Sequence, residues 1–335
     1  MASFNLLNGL MGNKGSSSNT GTTSNVKPQS NVQLFQSSAT SLSTVPQTII
    51  QNQIRNPNGY AMSGLFIDLN VTDTTGSSSA PSGVNSIETA FTSLVITGAT
   101  GRQLLKCNPN SGDQLRKLQH RFNQNGYYNT PPTPADSAVS TSYSVDYLVM
   151  LHNWVIAAKE FPLTVEWQLN TLSSRATTLN SMTSTAQITM YADFVPLASS
   201  LPPTVIKIKP VTGIAASTFN FQTYLDTTPI IDLSLDVGSS DTVISSTNSF
   251  NILVNNVPLV ANSAYQNVIN AEDRLYPITT PHITGYFPLN VLSGMTTLNP
   301  AVDQDSVEVD FTSAPDASGT SGRATLYMIE PYVPA

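Results

Sequence analysis

The sequence predicts an all-β chain folded as two tandem β-sandwiches, each with one short helix. Three observations predict it. Apolar residues recur with period two through most of the chain beyond residue 60. The 22 prolines and 18 glycines punctuate those runs at short intervals, as architectures built from short strands require. Charged residues are only 10% of the 335, against roughly 25% in an ordinary soluble domain, while hydrophobic residues reach 40%, enough for a core. The rows of Glu, Lys, Ala and Leu that a helical bundle needs are missing. The apolar content is too high for a disordered chain.

The first 30 residues stand apart. Residues 12–30 are mostly Gly, Ser, Thr and Asn with no hydrophobic period and read as a flexible arm. Ahead of them, Phe4, Leu6, Leu7, Leu10 and Met11 form a short apolar patch. It reads as an anchor for assembly on a partner or a membrane-proximal surface, with a frayed terminus as the bland alternative. No basic stretch followed by a long apolar run opens the chain, so no signal peptide is expected. No run approaches the roughly 20 apolar residues of a membrane span. The single cysteine, Cys107, rules out an internal disulfide. The protein is expected to be made and folded in a cytoplasm.

The strands follow in order. Leu65, Ile67, Leu69 and Val71 alternate with Phe66, Asp68, Asn70 and Thr72. Residues 93–98 and 101–106 form a strand, a glycine turn and a short strand. Tyr143, Val145, Tyr147, Val149 and Leu151 give the next apolar set, then Leu163, Val165, Trp167 and Leu169, then Ala186, Ile188, Met190, Ala192 and Phe194. Beyond them come Ile231, Leu233, Leu235 and Val237, then Phe250, Ile252 and Val254, an Asn-Asn turn, and residues 257–260. Residues 283–289, the set Val307, Val309 and Phe311, and the set Ala324, Leu326 and Met328 complete the series. Each such strand buries one face and wets the other.

Two stretches have helical period. Residues 111–123 place Leu115, Leu118 and Phe122 on one side, with Ser111 or Asp113 available as a cap; residues 262–274 group Ala264, Tyr265, Val268 and Ile269. Each helix follows a strand–turn–strand unit and precedes three further strands. This order predicts a duplicated sandwich. The proline-bounded stretch 196–203 is the expected linker. The domains are then an arm at 1–30, a first sandwich at 31–198 and a second at 199–335. Each is expected to hold two facing sheets of its own, with Val165, Trp167, Ile188 and Met190 in the first core and Leu233, Leu235, Val309 and Leu326 in the second.

The chemistry-bearing residues are few. His120, His152 and His282 have no zinc-ligand spacing, and no nucleophile elbow is present, so the chain does not read as an enzyme. Residues 98–102 (GATGR) lack the Lys-Ser/Thr of a phosphate loop and read as a hairpin turn. Asp303, Asp305, Glu308 and Asp310 lie close together, as do Asp232 and Asp236, but Glu308 stands where a calcium loop needs glycine. No cofactor is expected; a calcium ion between loops or subunits is the competing reading of these carboxylates. The net charge is -7, and the basic groups Arg116, Lys117, Arg121, Lys207 and Lys209 come without aromatic platforms, so no direct nucleic-acid contact is expected.

The segments 94–105 and 250–259, each followed by its helix, with the closing strands 307–311 and 324–330, resemble the double jelly-roll major capsid proteins of icosahedral bacteriophages with an internal membrane. The pattern is similar to that of the small bacteriophage group, such as the corticoviruses and the flavobacterium-infecting lipid-containing phage. The resemblance covers roughly residues 45–335 and rests on element order. It implies two tandem jelly rolls, a homotrimer of pseudo-hexagonal outline, neighbouring trimers, penton or minor capsid proteins and an internal lipid membrane as partners, and a place in the virion shell. An arm with only Lys14 and Lys27 fits a capsid separated from its genome by lipid. The rival reading is a receptor- or carbohydrate-binding β-sandwich such as a phage spike or adhesin, which would display Trp and Tyr on a loop face.

Overall fold

The structure is a computed structural model. It describes residues 29–56, 59–75, 80–108, 111–122, 132–135, 140–149 and 156–196, then 204–211, 220–224, 232–236, 249–254, 257–264, 267, 270, 286–288, 306–311 and 324–331. In the first half the strands are β1 (Gln29–Gln36), β2 (Thr40–Ser41), β3 (Gln47–Ile54), β4 (Ala61–Thr74), β5 (Ser82–Val84), β6 (Phe91–Thr97), β7 (Gln103–Cys107), β8 (Ser140–Val149), β9 (Leu163–Leu169), β10 (Ala176–Thr178) and β11 (Thr183–Val195). Helix α1 (Ser111–Phe122) follows β7. The second half contributes β12 (Thr204–Val211), β13 (Asn220–Tyr224), β14 (Asp232–Asp236), β15 (Ser249–Val254), β16 (Val257–Ala264), β17 (Tyr286–Pro288), β18 (Ser306–Phe311) and β19 (Ala324–Pro331).

The two halves repeat one topology. The first half sets β1-β11-β4-β8 against β3-β9-β6-β7; the second has β12-β19-β14-β17 and β13-β18-β15-β16. Numbered as the main strands of each half, both read 1-8-3-6 and 2-7-4-5. That is the arrangement of a jelly roll, and the chain is a double jelly roll. The register repeats as well. In the first half Leu94, Val95 and Ile96 pair with Trp167, Glu166 and Val165. In the second, Ile252, Leu253 and Val254 pair with Val309, Glu308 and Val307. A glutamate between two apolar residues occupies the same place in both.

Alternation explains the first core. Leu65, Ile67, Leu69 and Val71 of β4 are buried, as are Ala186, Ile188, Met190, Ala192 and Phe194 of β11. They meet Leu94, Ile96, Val165 and Trp167 of the facing sheet in one apolar cluster. Alpha-helix α1 adds Leu115 and Leu118 to it. The short pair β5·β10 covers a satellite cluster of Val84, Ala176 and Met182.

Three expectations need correction. Asn262, Ser263 and Ala264 were expected to open the second helix, but they continue β16, where Ser263 pairs with Phe250 and Ala264 with Ser249. A ladder partner in β15 holds them extended; of the following residues, Asn267 and Asn270 are described and both are helical. At the other end, Gln29 and Ser30 belong to β1 and not to the arm, because β1 pairs with β11 from Gln29↔Phe194 onward. Last, the two halves do not keep four separate sheets. β12 pairs with β7 in parallel at Ile206↔Leu105, joining two four-stranded sheets into one of eight: β17-β14-β19-β12-β7-β6-β9-β3. The cause lies in β7, whose neighbours Leu104 and Leu105 point to opposite faces and are both fully buried. A strand buried on both faces gains from having its open edge covered.

The joint also feeds the first core. Ile206 shares Leu105's face, is 2% exposed and joins that core, with Ile208 packed beside it. Lys207 is in register with Met328 and Lys209 with Leu326, and these with Leu233 and Leu235.

Candidate functional site

The apolar patch Phe4, Leu6, Leu7, Leu10 and Met11 lies outside the described residues, as do His152, His282, Asp303 and Asp305, and most of the stretch 196–203. His120 belongs to α1. Cys107 ends β7 fully buried, and burial pushes its thiol far up, so it is an inert core group and not a nucleophile. Residues 98–102 are a hairpin turn: the Gly98 and Gly101 amides donate to the Arg102 and Gly98 carbonyls at 2.9 Å each. Gly98 packs closely on Glu160: a Cβ there would stand 2.1 Å from Glu160 Oε2, so that carboxylate would have to move. The Thr100 hydroxyl donates to that same oxygen at 3.2 Å. Glu308 and Asp310 lie on β18, and Asp232 and Asp236 on β14. Among the described residues no group of three or more His, Cys, Asp or Glu side chains is placed to hold a metal ion.

Two of the basic groups on α1, Arg116 and Lys117, are engaged internally. Asp113 takes both Arg116 and Lys117, the latter at 2.7 Å, and Arg116 Nε lies 3.4 Å from Glu88. Glu88 in turn accepts the Tyr147 hydroxyl at 2.6 Å. Burial raises the Glu88 carboxyl above the usual range, with Arg116 opposing. Burial and the Glu88 carboxylate hold the Tyr147 phenol well above its usual value. Gly112 lets the helix approach, since a Cβ there would meet Glu88 Cβ at 2.9 Å and Tyr147 Oη at 3.1 Å. This network pins α1 to β8. Sequence spacing gave Asp113 at helical distance from Arg116 and Lys117; it gave no sign of Glu88 or Tyr147.

A second network closes the end of the first roll. Arg175 is 0% exposed and donates to Asp73 Oδ2 at 2.8 Å, to the Asn85 and Ser86 carbonyls at 3.1 and 2.5 Å, and to Thr89 Oγ1 at 2.7 Å. Ser184 donates to the other Asp73 oxygen at 2.6 Å.

The outward face of the sheet β1-β11-β4-β8 is acidic. Its four strands contain no Lys or Arg. Asp68 stands directly opposite Asp146, and Thr189 flanks it on β11. Partial burial first, then the Asp146 charge, raises the Asp68 carboxyl from 3.8 to about 6. Asp193 is raised by burial as well, although the Asn31 amide donates to it at 2.7 Å and opposes the shift. A carboxyl raised in the fold binds its proton more tightly there than in the unfolded chain. Its favourable contribution is complete below about pH 4 and is lost as the pH climbs to about 6. Asp68→Asn is therefore expected to stabilise the protein at pH 7 by about 1 kcal/mol, a shift discounted for a half-exposed carboxyl, and to give no gain at pH 4. Thermal melts of both proteins at the two pH values check it; an equal gain at both contradicts the assignment.

Among solved structures, the chain is similar to the major capsid protein of Sulfolobus Turreted Icosahedral Virus in its crystal structure. The TM-score is 0.57 at 11% identity, over 92% of this chain and 97% of that one. It is also similar to a chain in the atomic structure of that virus, with a TM-score of 0.55 at 12% identity over 89% and 90% of the two chains. What is shared at such identity is the fold. No protein-family model matches the chain, and no curated protein does. Trp167 is 1% exposed in the core, so it supplies no platform for the sugar-binding alternative.

Proposed function

We propose that this chain is the major capsid protein of an icosahedral virus, and that its role is structural. Three chains form a pseudo-hexagonal trimer, and trimers tile a shell over an internal membrane, in a bacteriophage by the sequence resemblance. The observation that carries this reading is the complete repeat of one jelly-roll topology in both halves. A capsid protein of similar fold over almost its whole length supports it. Low charge fits as well: at 10% charged residues, wide areas can be buried against neighbours with little desolvation cost. At roughly 25 cal/mol per Å², interfaces of a few thousand Å² make the trimer the stable unit. The test is native mass together with negative-stain images. Trimers with a hexagonal outline are expected; a monomer at micromolar concentration overturns the reading.

The arm has a separate role in this proposal. Its composition cannot offset the entropy of ordering it, so order comes from a partner. Phe4, Leu6, Leu7, Leu10 and Met11 supply an apolar contact to protein or membrane, at roughly 1.5–3 kcal/mol per large side chain buried. Two lysines are too few for a charge-driven lipid contact. Because β1 starts at Gln29, the informative deletion is residues 2–28. The truncated chain is expected to form trimers and fail to close particles; normal particles from it would make the arm an inert tail.

A further inference from the structure

We infer that copies of this chain join head to tail through the same two strand edges that join its own halves: β16 of one copy against β1 of the next. The inference rests on the trimer proposed above and names the contact that builds it. Within the chain, the joint is made by the fifth strand of the first roll, β7, and the first strand of the second, β12. That joint uses one fifth-strand edge and one first-strand edge. Because both rolls have the same strand order, one of each is left over. These are β16, at the end of β13-β18-β15-β16, and β1, at the end of β1-β11-β4-β8, among the described strands. Whatever movement carries the first roll onto the second, repeating it carries the second onto the first roll of another copy. A head-to-tail contact of this kind either closes into a ring or runs on as a filament. Three chains bring six rolls to a closed ring.

The two edges suit a contact between copies. Asn31, Gln33 and Gln36 of β1 are exposed. Pro258 of β16 is exposed too and has no N–H to offer a ladder, which is where edge strands tolerate proline. The internal joint is a single register pair, so a copy of it needs only a short stretch of edge. This is compatible with the bulges that interrupt β1. Chemistry separates the two joints. Ile206, the apolar centre of the internal joint, is buried in the first core. The free edge β1 presents Gln33, in the row Gln33–Tyr191–Phe66. The internal joint is apolar at its centre, and the free edge β1 offers polar side chains to the next copy.

Disulfide trapping tests this, because the one native thiol, Cys107, is buried. Full-length Gln33→Cys is paired with Pro258→Cys, Val260→Cys or Asn262→Cys, three alternate positions that scan the register. Native mass and thermal melts are recorded before oxidation, so a variant that misfolds is replaced by its neighbour. Mixing two single variants should give a covalent dimer at least ~10-fold above either alone, since the bond forms only where Cα atoms come within about 7 Å. The double variant should stop at a covalent trimer. Trimers by native mass that never cross-link at any of the three positions overturn the joint and leave the trimer standing. A ladder running past three overturns ring closure, and monomers by native mass overturn both the joint and the trimer.

Discussion

Replacing Arg175 by alanine is expected to cost about 3–5 kcal/mol of folding stability, read as a lower urea midpoint at unchanged slope. The side chain is completely buried, and its guanidinium supplies four hydrogen bonds to groups from two separate segments: Asp73 at the end of β4, and the stretch 85–89 with the Asn85 and Ser86 carbonyls and the Thr89 hydroxyl. Alanine leaves the Asp73 carboxylate in the interior with only the Ser184 hydroxyl as partner at 2.6 Å. It also leaves two carbonyls without their donor. An isolated buried charge is far more costly than the pair is stabilising, which is why the loss comes mainly from what remains behind. Removing Asp73 as well relieves part of it. The double variant Asp73→Ala/Arg175→Ala should therefore be more stable than the sum of the single effects implies, by roughly 0.5–3 kcal/mol of coupling. Strict additivity, or an Arg175→Ala loss below about 1 kcal/mol, would show that water reaches the site and that the network is not holding this end of the roll.

Legibility followed the physics of each element. Strands with one buried face announced themselves, since alternation is the direct image of a wet side and a dry side. Thus β4, β9 and β11 are plain in the sequence. β1 (QSNVQLFQ) and β3 (QTIIQNQI) are not, because polar residues dominate both and a doublet, Leu34–Phe35 or Ile49–Ile50, breaks the alternation in each. What places them is pairing with strands more than a hundred residues away, as in Val32↔Ala192 and Ile49↔Trp167. The joint between halves was hidden for a similar reason: it is one register pair long. A trace of it was present in the doublet Leu104–Leu105, since two consecutive buried residues on a short strand mean that both faces are covered. The networks around Arg175 and Glu88 left no local mark, because Arg175 and Asp73 are 102 residues apart and Tyr147 and Glu88 are 59. Most of the charged residues in the first roll's interior hold segments together, and Arg116 and Lys117 of α1 are paired with acidic groups of the same roll.

Trp167→Ala should destabilise the first roll by about 3–5 kcal/mol, whereas Trp167→Phe should cost less than about 1.5 kcal/mol. Trp167 sits at the centre of β9, between Ile49 of β3 and Leu94 of β6. It is the largest fully buried side chain among the described residues. From the facing sheet Phe35 of β1 meets it with ring centroids 5.4 Å apart and planes tilted by 56°, so the indole spans the space between the two layers. Alanine opens a cavity that neither sheet can close, because each is held in register by long ladders. Phenylalanine fills most of that volume. It also removes the indole N–H, which is buried without a hydrogen-bond partner, and relief of that group offsets part of the lost contact area. The contrast between the two substitutions is thus sharper than size alone predicts. Chemical denaturation of the pair measures it, and near-ultraviolet circular dichroism of the phenylalanine variant reports whether the core stays ordered. If phenylalanine proves as damaging as alanine, the indole N–H has a partner in solution. The core would then be held together by a polar contact as well as by packing.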